Sequence, residues 1–266
     1  MHITTRNLFL LLRAGAFGQQ DRLEPMSAWK WRKTYQLAVA HGVEAEAYEG
    51  LEVVSDQFFA QLVPDELRSR WADCAAEARR RSQNRSTELP ARLSRQLDNI
   101  VESYPEATVE HSMLEGIMLL SYSLLTDDCW VLRLLALGEQ VREMGQRVNR
   151  ELLQKWLRQT RLARMAQLEG AMLVMLMGVQ PEELPMAMPR RKDAINAQVD
   201  AIASAIPHGR EQWQFEQGKN IFVHTTNASA MVWNARRAAR FFAYSPRESL
   251  NQLFSSFRLS LKNIEE

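Results

Sequence analysis

The sequence predicts an all-α fold, a bundle-like array of helices arranged as one continuous domain or as two helical subdomains. Apolar residues recur at steps of three and four from Leu8 to Leu261, which is the period of an amphipathic helix. Residues that favour helix ends recur between these segments, whereas the alternating pattern of a half-buried strand does not. With 266 residues, 46% of them hydrophobic, the chain is long enough to bury a substantial core.

Two helices are predicted in the first 42 residues. The first ends at Gly18, because glycine readily adopts the left-handed conformation that closes a helix. The second starts at Ser27, whose hydroxyl suits an N-cap, and stops at Gly42. Their apolar positions are Leu8, Leu11, Leu12 and Phe17 in the first helix and Trp29, Trp31, Tyr35, Leu37 and Val39 in the second.

Prolines mark the borders of the next helices. Pro64 followed by Asp65 and Glu66 predicts a helix start, because proline fits the first turn and carboxylates favour the positive end of the helix dipole. Pro90 is expected to kink or restart the helix, and the restarted helix is expected to stop before Pro105. The apolar positions here are Leu67, Trp71, Cys74 and Ala78, then Leu93, Leu97 and Val101.

The stretch from Val109 to Gly178 has the densest helical pattern, with four apolar stripes joined by short connections that favour antiparallel packing. The run Thr126-Asp127-Asp128 supplies capping groups, and the third helix comprises Asn149 with Leu152, Leu153, Trp156 and Leu157. Six side chains on the apolar stripes of the chain are expected to be buried: Trp71, Trp130, Trp156, Leu134, Leu168 and Met172.

The last third of the chain is predicted to be less regular. Pro181, Pro185 and Pro189 break the helical pattern and lead to Arg190-Arg191-Lys192, which predicts a mobile linker. The elements expected next are a helix over 194–206, a turn at Pro207-His208-Gly209, a helix over 228–244 and a restart after Pro246. We therefore divide the chain into an N-terminal helical region, 1–105, a central helical bundle, 106–186, and a C-terminal helical segment, 187–266.

Charge and cysteine content exclude several classes of protein. Lys+Arg 33 against Asp+Glu 32 gives a formal charge of +1, so any electrostatic partner must be recognised by a local patch. Cys74 and Cys129 lack metal-ligand spacing and are expected to be buried, reduced thiols. Arg13 interrupts an N-terminal run that imitates a signal peptide, and no apolar run approaches the length of a membrane span. These features predict a cytoplasmic protein without a membrane partner.

Few residues that usually perform chemistry lie at a useful spacing. His111 and Glu115, with Glu110 beside them, could point at one ion, but two ligands do not make a metal site, and a surface or capping role is the better interpretation. His224 stands beside Thr225-Thr226-Asn227, where an N-cap explains the same residues. Asp127-Asp128 could hold magnesium only beside a phosphate-binding turn, and helix capping is again favoured.

The C-terminal segment carries a basic excess that is interleaved with aromatic residues. Phosphate contact and base stacking would be the nucleic-acid interpretation. At helical spacing, however, the aromatic residues are expected to face the core and the arginines to be solvated or paired, so nucleic-acid binding is not favoured. The residues are Arg236, Arg237, Arg240, Arg247, Arg258 and Lys262, with Phe241, Phe242 and Tyr244.

Two long stretches resemble a known family. "NLFLLLRAGAFG", "LAVAHGVEAEAYEGL" and "VPDELRSRW", then "VEHSMLEGIMLL", "VLRLLALGEQV" and "VNRELLQKWLRQTRLARMAQLEGAMLVMLMGVQPEELP", are similar to the helical regions of uncharacterised bacterial nucleotidyltransferase-like proteins. The resemblance covers residues 7–100 and 108–185, with a weaker echo in "RRAARFFAYSPRESL". It rests on apolar pattern and a few residues rather than on a catalytic signature.

The resemblance implies a catalytic α/β core between the two helical regions, with a Lys-Gly turn and an Asp-x-Asp type metal motif. Here the residues between Asn99 and Glu110 hold only Glu102 and Glu106 as acids, so no catalytic, cofactor-binding or metal-binding residue can be carried over.

We therefore predict a non-catalytic remnant without a cofactor that acts as a binding or scaffolding module for a protein partner. The alternatives are an enzyme of unrecognised type, with a site between helical subdomains built from His111, Glu115, His208 or His224, and a nucleic-acid binder that uses the C-terminal segment.

Overall fold

The structure of the protein is a computed structural model that describes residues 1–82, 89–126, 129–187, 192–209, 227–251 and 253–254. All regular secondary structure in these ranges is helical, which confirms the predicted all-α fold. The helices are α1 Ile3–Phe17, α2 Ala28–Ala40, α3 Glu44–Val53, α4 Phe58–Gln61, α5 Asp65–Ser82, α6 Ala91–Ser103, α7 Thr108–Thr126, α8 Trp130–Met144, α9 Arg150–Gln159, α10 Ala163–Met177, α11 Lys192–Gly209 and α12 Asn227–Phe242. A 3₁₀ turn, Gly145–Arg147, separates α8 from α9, and the chain becomes helical again from Pro246.

One contiguous hydrophobic cluster runs through the array, from Leu8 in α1 to Phe241 in α12. The six side chains predicted to be buried all belong to it, and none of them is more than 4% exposed. None of the described helices combines the length and the apolar character that a bilayer span requires.

Helix α1 lies at the centre of the contacts and packs most extensively against α3. The two backbones approach closely because the contact is made at glycine. A Cβ atom at Gly50 would lie 1.8 Å from the carbonyl oxygen of Leu11, and one at Gly15 would lie 2.3 Å from the carbonyl oxygen of Glu46. Helix α1 also closes the end of α10, because the Arg13 guanidinium donates to the carbonyl oxygens of Leu176 and Met175 at 2.8 and 2.7 Å.

Most predicted helix ends are confirmed. Gly18 closes α1 with a φ of 65°, and the carboxylates of Asp65 and Glu66 lie in the first turn of α5. Asn149 is the N-cap of α9, and its side chain accepts a hydrogen bond from the Leu152 amide at 3.1 Å. Ser27 precedes α2 as expected, but its hydroxyl makes no capping bond.

The capping role predicted for Thr126 is wrong, whereas the same prediction for Asp127 and Asp128 falls outside the described residues. The Thr126 hydroxyl donates back to the Tyr122 carbonyl at 3.0 Å and so stays within α7. The N-cap position of α8 is occupied by Cys129, in a left-handed conformation with φ 47°, while Asp127 and Asp128 lie outside the described residues. Cys74 and Cys129 form no disulfide and are only half-buried, so their predicted burial is also wrong.

Two further corrections concern the last third of the chain. The predicted linker is packed as far as Met186, because Leu184 and Met186 are buried and lie against the backbone of Gly170. Residues 188–191 lie outside the described residues. The predicted turn at Pro207-His208-Gly209 is instead the last turn of α11, where proline removes only one backbone hydrogen bond.

Candidate functional site

The candidate site is the outer surface of α9, whose position is fixed at the start of the helix. The backbone amide of Asn149 donates to the Glu110 carboxylate on α7 at 2.6 Å, while the Asn149 side chain caps the first turn. Glu110 is 8% exposed, so this bond lies largely out of water. The beginning of α9 is therefore attached to α7 through one carboxylate.

The inner face of α9 is anchored by aromatic packing. Leu153, Trp156 and Leu157 are buried. The Trp156 ring stacks on His111 from α7, with centroids 5.1 Å apart and an interplanar angle of 12°, and contacts the Tyr104 ring at 5.5 Å. Because one side of α9 is held by this apolar contact, its other side faces outward in a fixed orientation.

The outer face of α9 and its flanks carry a concentration of positive charge. Residues 147–164 contain six cationic side chains and one carboxylate, Glu151, which gives this stretch a net charge of +5. All six cationic residues are exposed. We call them the α9 basic surface: Arg147, Arg150, Lys155, Arg158, Arg161 and Arg164.

Three of these cations are held by neutral oxygen atoms. Arg150 donates to the Glu182 carbonyl at 2.8 Å, and Lys155 donates to the Tyr104 hydroxyl at 2.8 Å. Arg164 donates to the Ala243 carbonyl at 3.3 Å. These bonds restrict the side chains but leave their positive charges uncompensated.

Five arginines elsewhere in the fold differ from these cations because each has a carboxylate partner. Carboxylates lie within ion-pair distance of Arg6, Arg13, Arg68, Arg79 and Arg92. In the described part of the chain, no carboxylate pairs with a member of the α9 basic surface. The positive potential of α9 is therefore available to an external anion.

An open groove of about 440 Å³ follows this face of α9. The described residues that line it recur at helical spacing; three are cations with long aliphatic stems, one is a carboxylate and one is an amide. They are Arg150, Glu151, Gln154, Lys155 and Arg158. The groove offers apolar contact beneath charged groups, as protein-docking surfaces commonly do.

Arg161 joins α9 to α10 in an unusual backbone conformation. Its φ is 63°, in the left-handed region where glycine and asparagine are favoured over arginine. Such outliers persist where the surrounding structure imposes them, and they often occur at functional surfaces. Arg161 therefore places an exposed charge just beyond the end of α9, although its backbone conformation is unfavourable for arginine.

Glu110, His111 and Glu115, which the sequence suggests as possible ligands of one ion, have other roles in the structure. Glu110 accepts the Asn149 amide and His111 stacks on Trp156, whereas Glu115 is exposed. A surface or capping role was expected for all three residues: Glu110 makes a contact at the start of α9 and Glu115 is on the surface, but His111 instead packs against an aromatic ring. Among the described residues, no group of three or more His, Cys, Asp or Glu side chains could hold a metal ion.

Several other proposed residues are not brought to this site. Helix α12 begins at Asn227, while Thr225 and Thr226, for which capping was also predicted, lie outside the described residues. His208 belongs to the last turn of α11. Phe241 is buried as expected, but Phe242 is 48% exposed, and Arg236, Arg240 and Arg247 are exposed. The remaining candidates lie outside the described residues: Asp127, Asp128, His224, Thr225, Thr226, Arg258 and Lys262.

The sequence reasoning missed two features. A count of charges in a window would have found the α9 basic surface, because the whole-chain charge of +1 hides a local excess of five. The second is Glu169 on α10, which is fully buried and accepts a hydrogen bond from the Ser121 hydroxyl at 2.6 Å. Burial raises the pKa of Glu169 well above its ordinary value, while the bond from Ser121 lowers it.

Comparison with known proteins gives no relative: no family model, no curated protein and no solved structure matches the chain.

Proposed function

We propose that this chain is a non-catalytic binding or scaffolding module that recognises a protein partner through the α9 basic surface. The observation that carries the proposal is the group of six exposed cations on and beside one short helix, none of which pairs with a described carboxylate. Unpaired charges of one sign steer and orient a partner of the opposite sign.

The local roles of Glu110 and His111 support a non-catalytic reading. A general base needs a reactive proton within hydrogen-bond reach, but Glu110 is occupied by the Asn149 amide and His111 is stacked on Trp156. The residues between α6 and α7 number only four, from Tyr104 to Ala107. Such a connection is consistent with the proposal that the chain is a degenerate relative of the nucleotidyltransferase-like proteins without their α/β core.

A capture experiment with matched variants tests the binding role. One variant combines Arg150→Gln, Lys155→Gln and Arg158→Gln. The control combines Arg22→Gln, Arg32→Gln and Arg95→Gln, which are exposed arginines on other helices or connections and change the net charge equally. Both variants and the parent chain are immobilised and exposed to extract from the source cells.

We expect a protein to be retained by the parent and by the control variant but to be reduced at least about fivefold on the α9 variant, because three charges are lost at one surface. Equal retention by all three chains would contradict the proposal, as would a failure of every chain to retain a protein.

Nucleic-acid binding by the C-terminal segment is a second candidate, and the exposure of Arg236, Arg240 and Arg247 favours it. Titration of labelled oligonucleotides at physiological salt separates the two functions. Submicromolar binding that weakens steeply with salt and is lost on Arg236→Gln with Arg240→Gln would support this candidate, since phosphate contacts release counterions.

A further inference from the structure

We propose that the partner segment bound by the α9 basic surface is an acidic helix that also carries a few basic residues. This inference rests on the proposed function and adds the chemistry of the partner. It concerns the groove lined by Arg150, Glu151, Gln154, Lys155 and Arg158 together with the flanking Arg161.

The spacing of the cations favours a helical partner. Arg150 and Arg158 are eight residues apart on α9, which corresponds to about 12 Å along the helix axis. Carboxylates at every fourth residue of a second helix repeat at about 6 Å and lie on one face. A helix placed beside α9 can therefore set two or three carboxylates against this row of cations.

The organisation of the site reduces the entropic loss on binding. Arg150 and Lys155 are already restrained by the Glu182 carbonyl and the Tyr104 hydroxyl. Their helix is fixed beneath them by the buried Trp156. Long cationic side chains that are held before binding lose less rotamer freedom when an anion arrives.

Glu151 argues against nucleic acid as the partner. Its carboxylate lines the same groove as the three cations. A phosphodiester chain presents negative charge without interruption and would be repelled there, whereas a peptide can place a lysine opposite Glu151. No aromatic ring is among the described residues that line the groove, and the Tyr104 ring, which Lys155 of the groove contacts, has the Lys155 ammonium over one face at 5.3 Å from its centroid, so that face offers no free platform for base stacking.

Arg161 provides a second, independent indication. A glycine at this position would adopt the φ of 63° without steric strain, but it would remove one of the cations. The sequence retains a charged residue where the backbone favours glycine. If the charge serves binding, Arg161→Gly should weaken the complex without destabilising the fold.

The test uses synthetic peptides and the full chain. The probe is a helical peptide of about 18 residues, since much shorter isolated helices are marginal in water. It has glutamates at every fourth residue of one face and a single lysine among them. A peptide with glutamine in place of each glutamate is the neutral control, and single- and double-stranded oligonucleotides represent nucleic acid.

We expect the acidic peptide to bind the parent chain with a Kd of about 10 μM at low salt and the neutral peptide to bind at least about tenfold more weakly. The variant with Arg150→Gln, Lys155→Gln and Arg158→Gln should lose about tenfold or more in affinity for the acidic peptide. The control with Arg22→Gln, Arg32→Gln and Arg95→Gln should keep the parent affinity. Arg161→Gly should bind about twofold to fivefold more weakly than the parent while its Tm is equal or higher.

Three results would overturn the inference: no preference for the acidic over the neutral peptide, equal affinity of the α9 and control variants, or tighter binding of an oligonucleotide at the same residues. The last result would leave the α9 surface as a binding site and change only the partner class. Failure of the proposed function is recognised separately, because the capture experiment then shows no dependence on the α9 residues.

Discussion

At the scale of single residues, Glu169 is the most unusual ionisable group in the described core. Its side chain is fully buried between α10 and α7, where Ser121 supplies one hydrogen bond and the second carboxyl oxygen has no partner among the described residues. Desolvation of the charged form is the main reason that its pKa lies well above the ordinary value. Glu169 therefore favours the neutral acid in the folded state.

This raised pKa predicts a loss of stability as the pH rises. Above the ordinary pKa of 4.5, the unfolded chain releases the Glu169 proton while the folded chain retains it. The contribution of Glu169 to stability is consequently complete below pH 4.5 and decreases until the pH reaches the folded-state pKa. Glu169→Gln, a neutral and nearly isosteric change, should remove this part of the pH dependence.

Urea unfolding from pH 4 to pH 9 measures the effect of Glu169→Gln. We expect the free energy of unfolding of the variant to exceed that of the parent by an amount that grows with pH. Ser121→Ala is the companion variant: because it removes the bond that lowers the pKa, it should extend the decline to higher pH. Parallel pH profiles for the parent and Glu169→Gln would show that the Glu169 carboxyl does not titrate differently on folding.

At the scale of helices, two packing contacts position the rest of the molecule. The first is the crossing of α1 and α3 at Gly15 and Gly50, and the second is the aromatic group beneath α9. In both cases the close fit leaves little space for relaxation, because protein interiors are packed as densely as organic crystals. Substitutions at these points test the arrangement of the helices.

Gly50→Ala should disrupt the α1–α3 crossing. The added Cβ would meet the carbonyl oxygen of Leu11 at 1.8 Å, and backbone cannot move aside as a flexible side chain can. We expect a loss of about 2 to 3 kcal/mol in the free energy of unfolding, the upper part of the usual range for overpacking. Gly18→Ala is a useful comparison, since it has a positive φ but no atom within 4 Å of the added Cβ. If Gly50→Ala is no more destabilising than Gly18→Ala, the two helices do not cross as described.

Trp156→Ala should remove the anchor of α9. Trp156 is fully buried and contacts both His111 and Tyr104, so its truncation leaves a large cavity. We expect a loss of about 3 to 5 kcal/mol, measured by chemical unfolding. Trp156→Phe retains most of the ring and removes an indole N–H that has no described acceptor, so its effect should be much smaller. A loss below about 1 kcal/mol for Trp156→Ala would contradict the packing argument.

At the scale of the whole molecule, the charges are distributed unevenly although they nearly cancel. The chain has a formal charge of +1, yet residues 147–164 carry +5. This distribution gives a local site of attraction without a long-range field around the protein. We therefore expect partner binding at α9 to weaken with salt and to remain specific to that surface.

The proposal that the chain is a non-catalytic relative without an α/β core also predicts that nucleoside triphosphates do not bind tightly. The two acids between Asn99 and Glu110 are Glu102, in the last turn of α6, and Glu106, in the connection to α7; both are exposed and cannot supply the several ligands that a pair of magnesium ions requires. Calorimetry with ATP, GTP, CTP and UTP in excess magnesium should give no binding in the micromolar range. Micromolar binding of any of them, abolished by replacement of Asp127 and Asp128, would show that a nucleotide site has been rebuilt elsewhere.

The sequence alone determined the helical class, most helix ends and the burial of residues such as Trp71 and Trp156, because these follow from local periodicity, capping and the hydrophobic effect. It also contained the charge excess of the α9 basic surface, since local composition needs no fold. Only the tertiary structure decided that three of these cations bond to neutral oxygens rather than to carboxylates, that Gly50 lies against Leu11, and that Glu169 is fully buried. Each of these facts depends on which residues distant in sequence become neighbours, and helix periodicity does not specify that pairing.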